Sequence, residues 1–318
     1  MWISPYKYVL SLGHLCSDIN QSILSAVLPF LIATYHNDYT TAAMLVTVSN
    51  VFGAFVQPFI GMLSDKKNKL LYMTLGVLLA SGGMAVTGFI SNFFGLWIVV
   101  IMSGIGVAMF HPQAAKLFNS VSSKNAKGKG MSIFSFGGKV GFTLGPVYTA
   151  FLMNLFGMKG TILFLIPGIV FGIVCSFFNK DFENLDVLEV EKKEKVKSEQ
   201  KDDWSGFIKL CCVVFSRSIL SNGISTFLAF YFIQQFSKSN SFASMLLSVF
   251  YGIGSITLLG GGIADCFGHR KMVRLSFCIF LPAIFIFTNT SHFVIALIML
   301  IFMTCGESLS YSPMVVLG

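Results

Sequence analysis

GMLSDKKNKL (residues 61–70) and GGIADCFGHRKM (261–272) follow one pattern: a glycine, an aspartate four residues on, then a basic cluster. Gly61 matches Gly261 and Asp65 matches Asp265, both at a separation of 200. The upstream residues hold that register without a gap, Ala43 with Ala243 and Phe30 with Phe230. Register, motif and position after an apolar run agree together, which marks an internal duplication. The chain reads as two similar halves.

Composition fixes the medium. Of 318 residues, 54% are hydrophobic and 11% charged, with a mean hydropathy of +0.76. Soluble domains carry about 25% charged residues, so this is a polytopic membrane protein whose main partner is the lipid bilayer. The segment NKDFENLDVLEVEKKEKVKSEQKDDW (179–204) has six lysines against nine acids, a net −3, which leaves +11 elsewhere. A basic excess in such a chain is a topology signal, not a nucleic-acid footprint. Seven cysteines without a CxxC pair read as small apolar side chains, and no metal site, cofactor, cleavable signal or nucleotide-binding Walker motif is expected.

A spanning helix needs about 20 mostly apolar residues. Ten stretches qualify: 8–35, 42–64, 70–91, 93–117, 130–156, 159–178, 205–236, 241–263, 271–290 and 292–317. Their connections alternate between polar turns nearly free of Lys and Arg and basic loops such as DKKNK (65–69), KNAKGK (124–129) and HRKMVR (269–274). Basic loops mark the cytoplasmic side, so the N-terminus is expected inside. The organisation is an all-α membrane protein of two parallel-repeat bundles: a six-span half (1–178), a charged cytoplasmic linker (179–204) and a second half with at least four spans (205–318). Parallel halves of this kind hold a substrate between them.

These residues carry a resemblance. The repeated G-x-x-x-D followed by basic residues is similar to the signature of the major facilitator superfamily. Asn68 stands where that family has glycine, and Cys266 and His269 where basic residues are usual, while Gly268 and Arg270 keep the pattern. GKVGFTLGP (138–146) resembles the Gly-Pro motif of the family's drug antiporters, which makes Gly141, Gly145 and Pro146 helix-packing candidates. HLCSDINQSIL (14–24), QPFIGMLSDK (57–66), FHPQAAK (110–116) and MSIFSFGGKVGFTLGP (131–146) resemble the fosmidomycin-resistance subfamily. The resemblance implies twelve spans worked by alternating access. It therefore leads to the expectation that two further spans follow Gly318, and it assigns Gly61, Asp65, Gly261, Asp265, Gly268 and Arg270 to gating loops.

Ionisable residues within a span are costly and mark ion or substrate paths. Asp18, Lys139, Arg217 and Glu307 are the four that stand out. His14, Asp18, Gln21 and Ser25 recur at helical spacing, so they form one polar stripe, expected to line a cavity. Asp18, Glu307 and His111 are proton-coupling candidates; His14, Gln21, Lys139 and Arg217 are substrate-cavity candidates. The alternative for Asp18 is a static pair with Lys139 or Arg217, for Arg217 a pair with Glu307, and for Lys139 a side chain that snorkels. The leading reading is a monomeric secondary transporter in a bacterial cytoplasmic membrane, driven by the proton gradient, that exports a small anionic or phosphonate-like compound or drug. Uptake of an endogenous organic anion and a non-transporting fragment are the alternatives. No nucleophile–base pairing suggests an enzyme.

Overall fold

The computed structural model describes residues 6–35, 38–63, 69–121, 127–178, 204–256 and 267–309, within which every regular element is helical. The helices are α1 (Tyr6–Tyr35), α2 (Tyr39–Leu63), α3 (Lys69–Ala85), α4 (Phe93–Val121), α5 (Lys127–Phe156), α6 (166–178), α7 (Trp204–Phe236), α8 (Asn240–Ile256), α9 (His269–Asn289) and α10 (Phe293–Leu309). Each overlaps one of the ten spans read from hydropathy. Among the described residues seven segments are long and apolar enough to cross a membrane, and one of them, Ile133–Phe178, runs through most of α5 and all of α6. Lipid offers the backbone no hydrogen-bond partners, so apolar runs of this length satisfy their peptide groups internally, as helices.

The chain divides into two compact units, Met1–Lys197 and Ser198–Gly318. The boundary falls in the charged segment, whose residues 179–203 lie outside the described ones.

In the first unit α1 packs mainly against α5, then against α4 and α3. It is buried round most of its circumference: Asp18 and Asn20 are covered as fully as Ile23 and Leu28. The contact with α5 is a glycine seam. A Cβ on Gly137, Gly141 or Gly145 would run into Ser11, Leu15 or Ser22 of α1. One on Gly138 would stand 2.6 Å from His14 Nε2. Backbone therefore lies on backbone, the close approach small residues give membrane helices. Near Gly13 the rings of Phe110 and Phe171 close over α1, within a core that includes Leu10, Met73 and Phe118.

Span six was expected as one helix from residue 159. Instead a 3-10 segment, Gly157–Leu165, precedes α6. Gly157 sits at φ 58°, where glycine is favoured, and ends α5. The segment docks on the α3–α4 connection. Gly88 donates its N–H to Thr161 Oγ1 at 3.1 Å, and that hydroxyl donates to the Ala85 carbonyl at 2.9 Å.

In the second unit α10 packs against α9, α8 and α7. Gly306 meets the Phe280 backbone, and Tyr231 donates its hydroxyl to the Phe287 carbonyl at 2.6 Å. Lys238, one of the few lysines in the polar turns, rests its Nζ 4.2 Å from the Phe293 ring centroid, a cation–π contact. Outer faces of the helices carry exposed rings such as Phe55, Phe94 and Phe177, which suits contact with acyl chains.

Gly141→Ala should lower the apparent melting temperature of the detergent-solubilised protein, because overpacking costs about 1–3 kcal/mol. Gly82→Ala, with nothing within 4 Å of the new Cβ, should leave it unchanged or raise it. Equal shifts in a thermal-unfolding assay would refute the glycine seam.

Candidate functional site

The polar run of α1 splits between neighbours. Asn20 turns to α3, donating to Ser81 Oγ at 2.9 Å and to its own helix at Cys16 O. Ser22 points to α5, donating to Ile19 O and reaching Gly141 O at 3.4 Å. His14 and Asp18, one turn apart, meet His111 of α4. Asp18 Oδ2 lies 3.2 Å from His14 Nε2, and Oδ1 lies 3.1 Å from His111 Nε2. The His14 ring also stacks on Phe134 of α5, with centroids 4.2 Å apart. Gly138 makes room for the pair: any side chain there would occupy the position of the Asp18 carboxylate.

Hydrogen positions follow from the ring partners. His14 Nδ1 is 2.9 Å from Phe134 O, and His111 Nδ1 is 2.9 Å from Val107 O. A carbonyl only accepts, so each Nδ1 carries a hydrogen. In a neutral ring Nε2 is then a bare acceptor facing an acceptor oxygen. Both Nε2···O contacts hold as hydrogen bonds only when each has a proton of its own. The closed triad then carries net charge +1, whether both rings are imidazolium beside a carboxylate or one proton sits on Asp18. Removing a single proton makes the triad neutral and leaves one contact with two facing lone pairs. The site can thus store and release a proton, and its loss weakens a link between helices.

The three ligand atoms also lie within 4.8 Å of one another, the spacing of a metal-ligand set, although each ring engages its own carboxylate oxygen at hydrogen-bonding distance. Helical spacing joined His14 to Asp18 but gave no hint of His111, which is 93 residues from Asp18. The FHPQAAK stretch was the available signal, and it named His111 without its partner. The same stretch contains Gln113 and Lys116, to which the sequence reading gave no role and which bond to the end of α2: Gln113 Nε2 donates to Ile60 O at 3.2 Å and Lys116 Nζ to Gly61 O at 3.1 Å.

Asp18 engages the two histidines, where the alternative reading paired it statically with Lys139 or Arg217. Asp18 is 3% exposed while the His111 side chain is 30% exposed, so the triad is enclosed at its acid and opens at His111 of α4. Lys139 and Gln21 are half-buried, on α5 and α1. Arg217 and Glu307 belong to the second unit. There they form an ion pair between Nη2 and Oε1, beside a small cavity lined by Ser276, Phe277, Phe280 and Gly306. Gly268, at φ 89°, precedes α9, and Arg270 is exposed on its first turn. Gly141, Gly145 and Pro146 are buried on α5. Asp65, Gly261 and Asp265 lie outside the described residues.

A model of the Major Facilitator Superfamily matches residues 10–318. The chain belongs to that family. It is therefore an integral multi-pass membrane protein with the fold of transporters, not of enzymes. The fosmidomycin resistance protein of Escherichia coli is 23% identical over 276 residues, 83% of this chain and 66% of that protein. The uncharacterized MFS-type transporter YfnC of Bacillus subtilis is 24% identical over 278 residues, 85% and 68% of the two chains. The chain thus spans about two thirds of the length of these relatives. Among solved structures, a bacterial homologue of the human lysosomal transporter Spinster, inward-facing and occupied, superposes with a TM-score of 0.78 at 16% identity, covering 98% of this chain and 73% of that one. A D-xylose–proton symporter does so at 0.75 and 14%, covering 98% and 81%.

Breaking a buried ion pair by removing one partner costs about 3–5 kcal/mol, whereas replacing both with apolar groups is often neutral. Arg217→Met or Glu307→Met alone should therefore lower the apparent melting temperature of this family member more than the double substitution does. Additive losses would show that the two side chains act independently.

Proposed function

We propose that the protein is a proton-coupled secondary transporter that works by alternating access and exports a small compound across a bacterial cytoplasmic membrane, with its N-terminus inside. The observation that carries the reading is the buried Asp18 carboxylate shared by His14 and His111. A proton-holding cluster that joins two helices of a transporter bundle is the element coupling requires: its proton count changes, and with it the α1–α4 link. Family membership supports transport. A relative named for fosmidomycin resistance, together with the multidrug resistance protein MdtG of Rahnella at 24% identity over 198 residues, supports efflux of drugs or phosphonate-like anions. The shared fold of a D-xylose–proton symporter is compatible with proton coupling. Lys139, half-buried on α5, is the candidate to meet an anionic substrate in the first unit, and Arg217 holds Glu307.

Expression in a bacterium deleted for its own fosmidomycin exporter should raise tolerance to fosmidomycin, and a protonophore should abolish the effect. In proteoliposomes, Asp18→Asn should cut pH-gradient-driven fosmidomycin flux by about tenfold or more, equivalent to some 1.4 kcal/mol of lost coupling, at normal membrane levels. Unchanged gradient-driven flux in Asp18→Asn would sink the role of the triad, and gradient-driven accumulation inside the cell would reverse the direction.

A further inference from the structure

The carboxy-terminal turn of α2 is held from outside. The last four carbonyls of a helix have no partner within it, and α2 ends at Leu63. Two of those carbonyls, Ile60 and Gly61, accept from Gln113 and Lys116 of α4. A lysine ammonium also answers the partial negative charge at that helix end. Gln113 is fully buried, and its amide N–H is the donor that reaches Ile60 O. His111 lies on the same segment, five residues or about 7.5 Å along the axis before Lys116. The stretch 111–116 therefore holds Asp18 of α1 through one side chain and the end of α2 through two others.

We propose that Gln113 and Lys116 are positioning residues that transmit the state of the His14–Asp18–His111 triad to the carboxy-terminal turn of α2, the turn that leads into the repeated Gly-x-x-x-Asp signature. When the proton between Asp18 and His111 is lost, α4 is freed from α1, and α2 moves with α4 because these two bonds keep its end attached. The inference rests on the proton-coupled reading above. The charges that act on Asp18 are those of His14, on its own helix, and His111, on α4. From α5 the residues against it are Gly138 and Gly141, with Lys139 the adjacent cation in sequence. α3 packs on α1 through the Asn20–Ser81 bond.

The test is hydrogen–deuterium exchange with mass spectrometry on the full chain in lipid nanodiscs at pH 6 and pH 8, corrected for intrinsic exchange. It follows peptides covering residues 11–22 and 57–63. In the wild type both segments should exchange faster at pH 8, and His111→Gln should remove the pH response from both. Lys116→Met combined with Gln113→Leu should raise exchange of 57–63 by roughly tenfold, as expected for a lost charged hydrogen bond. It should also erase the pH response there while 11–22 keeps its own. Lys116→Arg, which retains the donor, should restore the wild-type pattern. A pH response at 57–63 that survives in the double variant overturns the inference. So does a wild type in which only 11–22 responds, which leaves the proton-coupled reading standing. A wild type in which neither segment responds overturns both.

Discussion

A carboxylate that has left water must find hydrogen-bond donors or lose its charge. Asp18 is nearly as buried as the core leucines of α1, and the first unit is arranged around that requirement. His14 supplies one donor from the preceding turn and His111 the other from α4. Each ring is fixed in turn by a backbone carbonyl, Phe134 O on α5 and Val107 O on α4. Three helices are committed to one acid. Gly138 must be glycine for His14 and Asp18 to fit, and Phe134 must lie flat against His14 to close the far side.

The glycine seam between α1 and α5 is the steric counterpart of that electrostatic demand. With backbones in contact along Gly137, Gly141 and Gly145, the two helices have little freedom to slide. α4 meets α1 over a smaller contact and reaches it through His111. The first unit thus has one helix pair closed by backbone contact and one joined through side chains. The glycine packing and the histidine contacts meet at Asp18, which lies against both Gly138 and Gly141.

Each unit ties its first helix to its fourth with charged side chains, but by different chemistry. In the first unit the link between α1 and α4 is a carboxylate with two imidazoles. In the second the link between α7 and α10 is Arg217 with Glu307, and an arginine does not give up its proton. The two halves thus tie corresponding helices together with different groups.

The sequence by itself determined the helices, the two halves and the list of charged residues within the spans. Hydropathy suffices for the first, because the bilayer leaves an apolar run no other way to satisfy its backbone. A fixed separation of 200 residues suffices for the second. It also foresaw the Arg217–Glu307 pair as one of two options, since opposite charges in apolar spans have few partners to choose from. Tertiary structure alone decided who meets Asp18. Helical periodicity shows that His14, Asp18 and Gln21 share a face, but it is silent about which helix covers that face. The answer came from α4, 93 residues on, and from the absence of side chains on α5. The same holds for Gln113 and Lys116. Their hydrogen bonds end on backbone carbonyls of α2, and a backbone acceptor leaves no mark on the residue type that carries it.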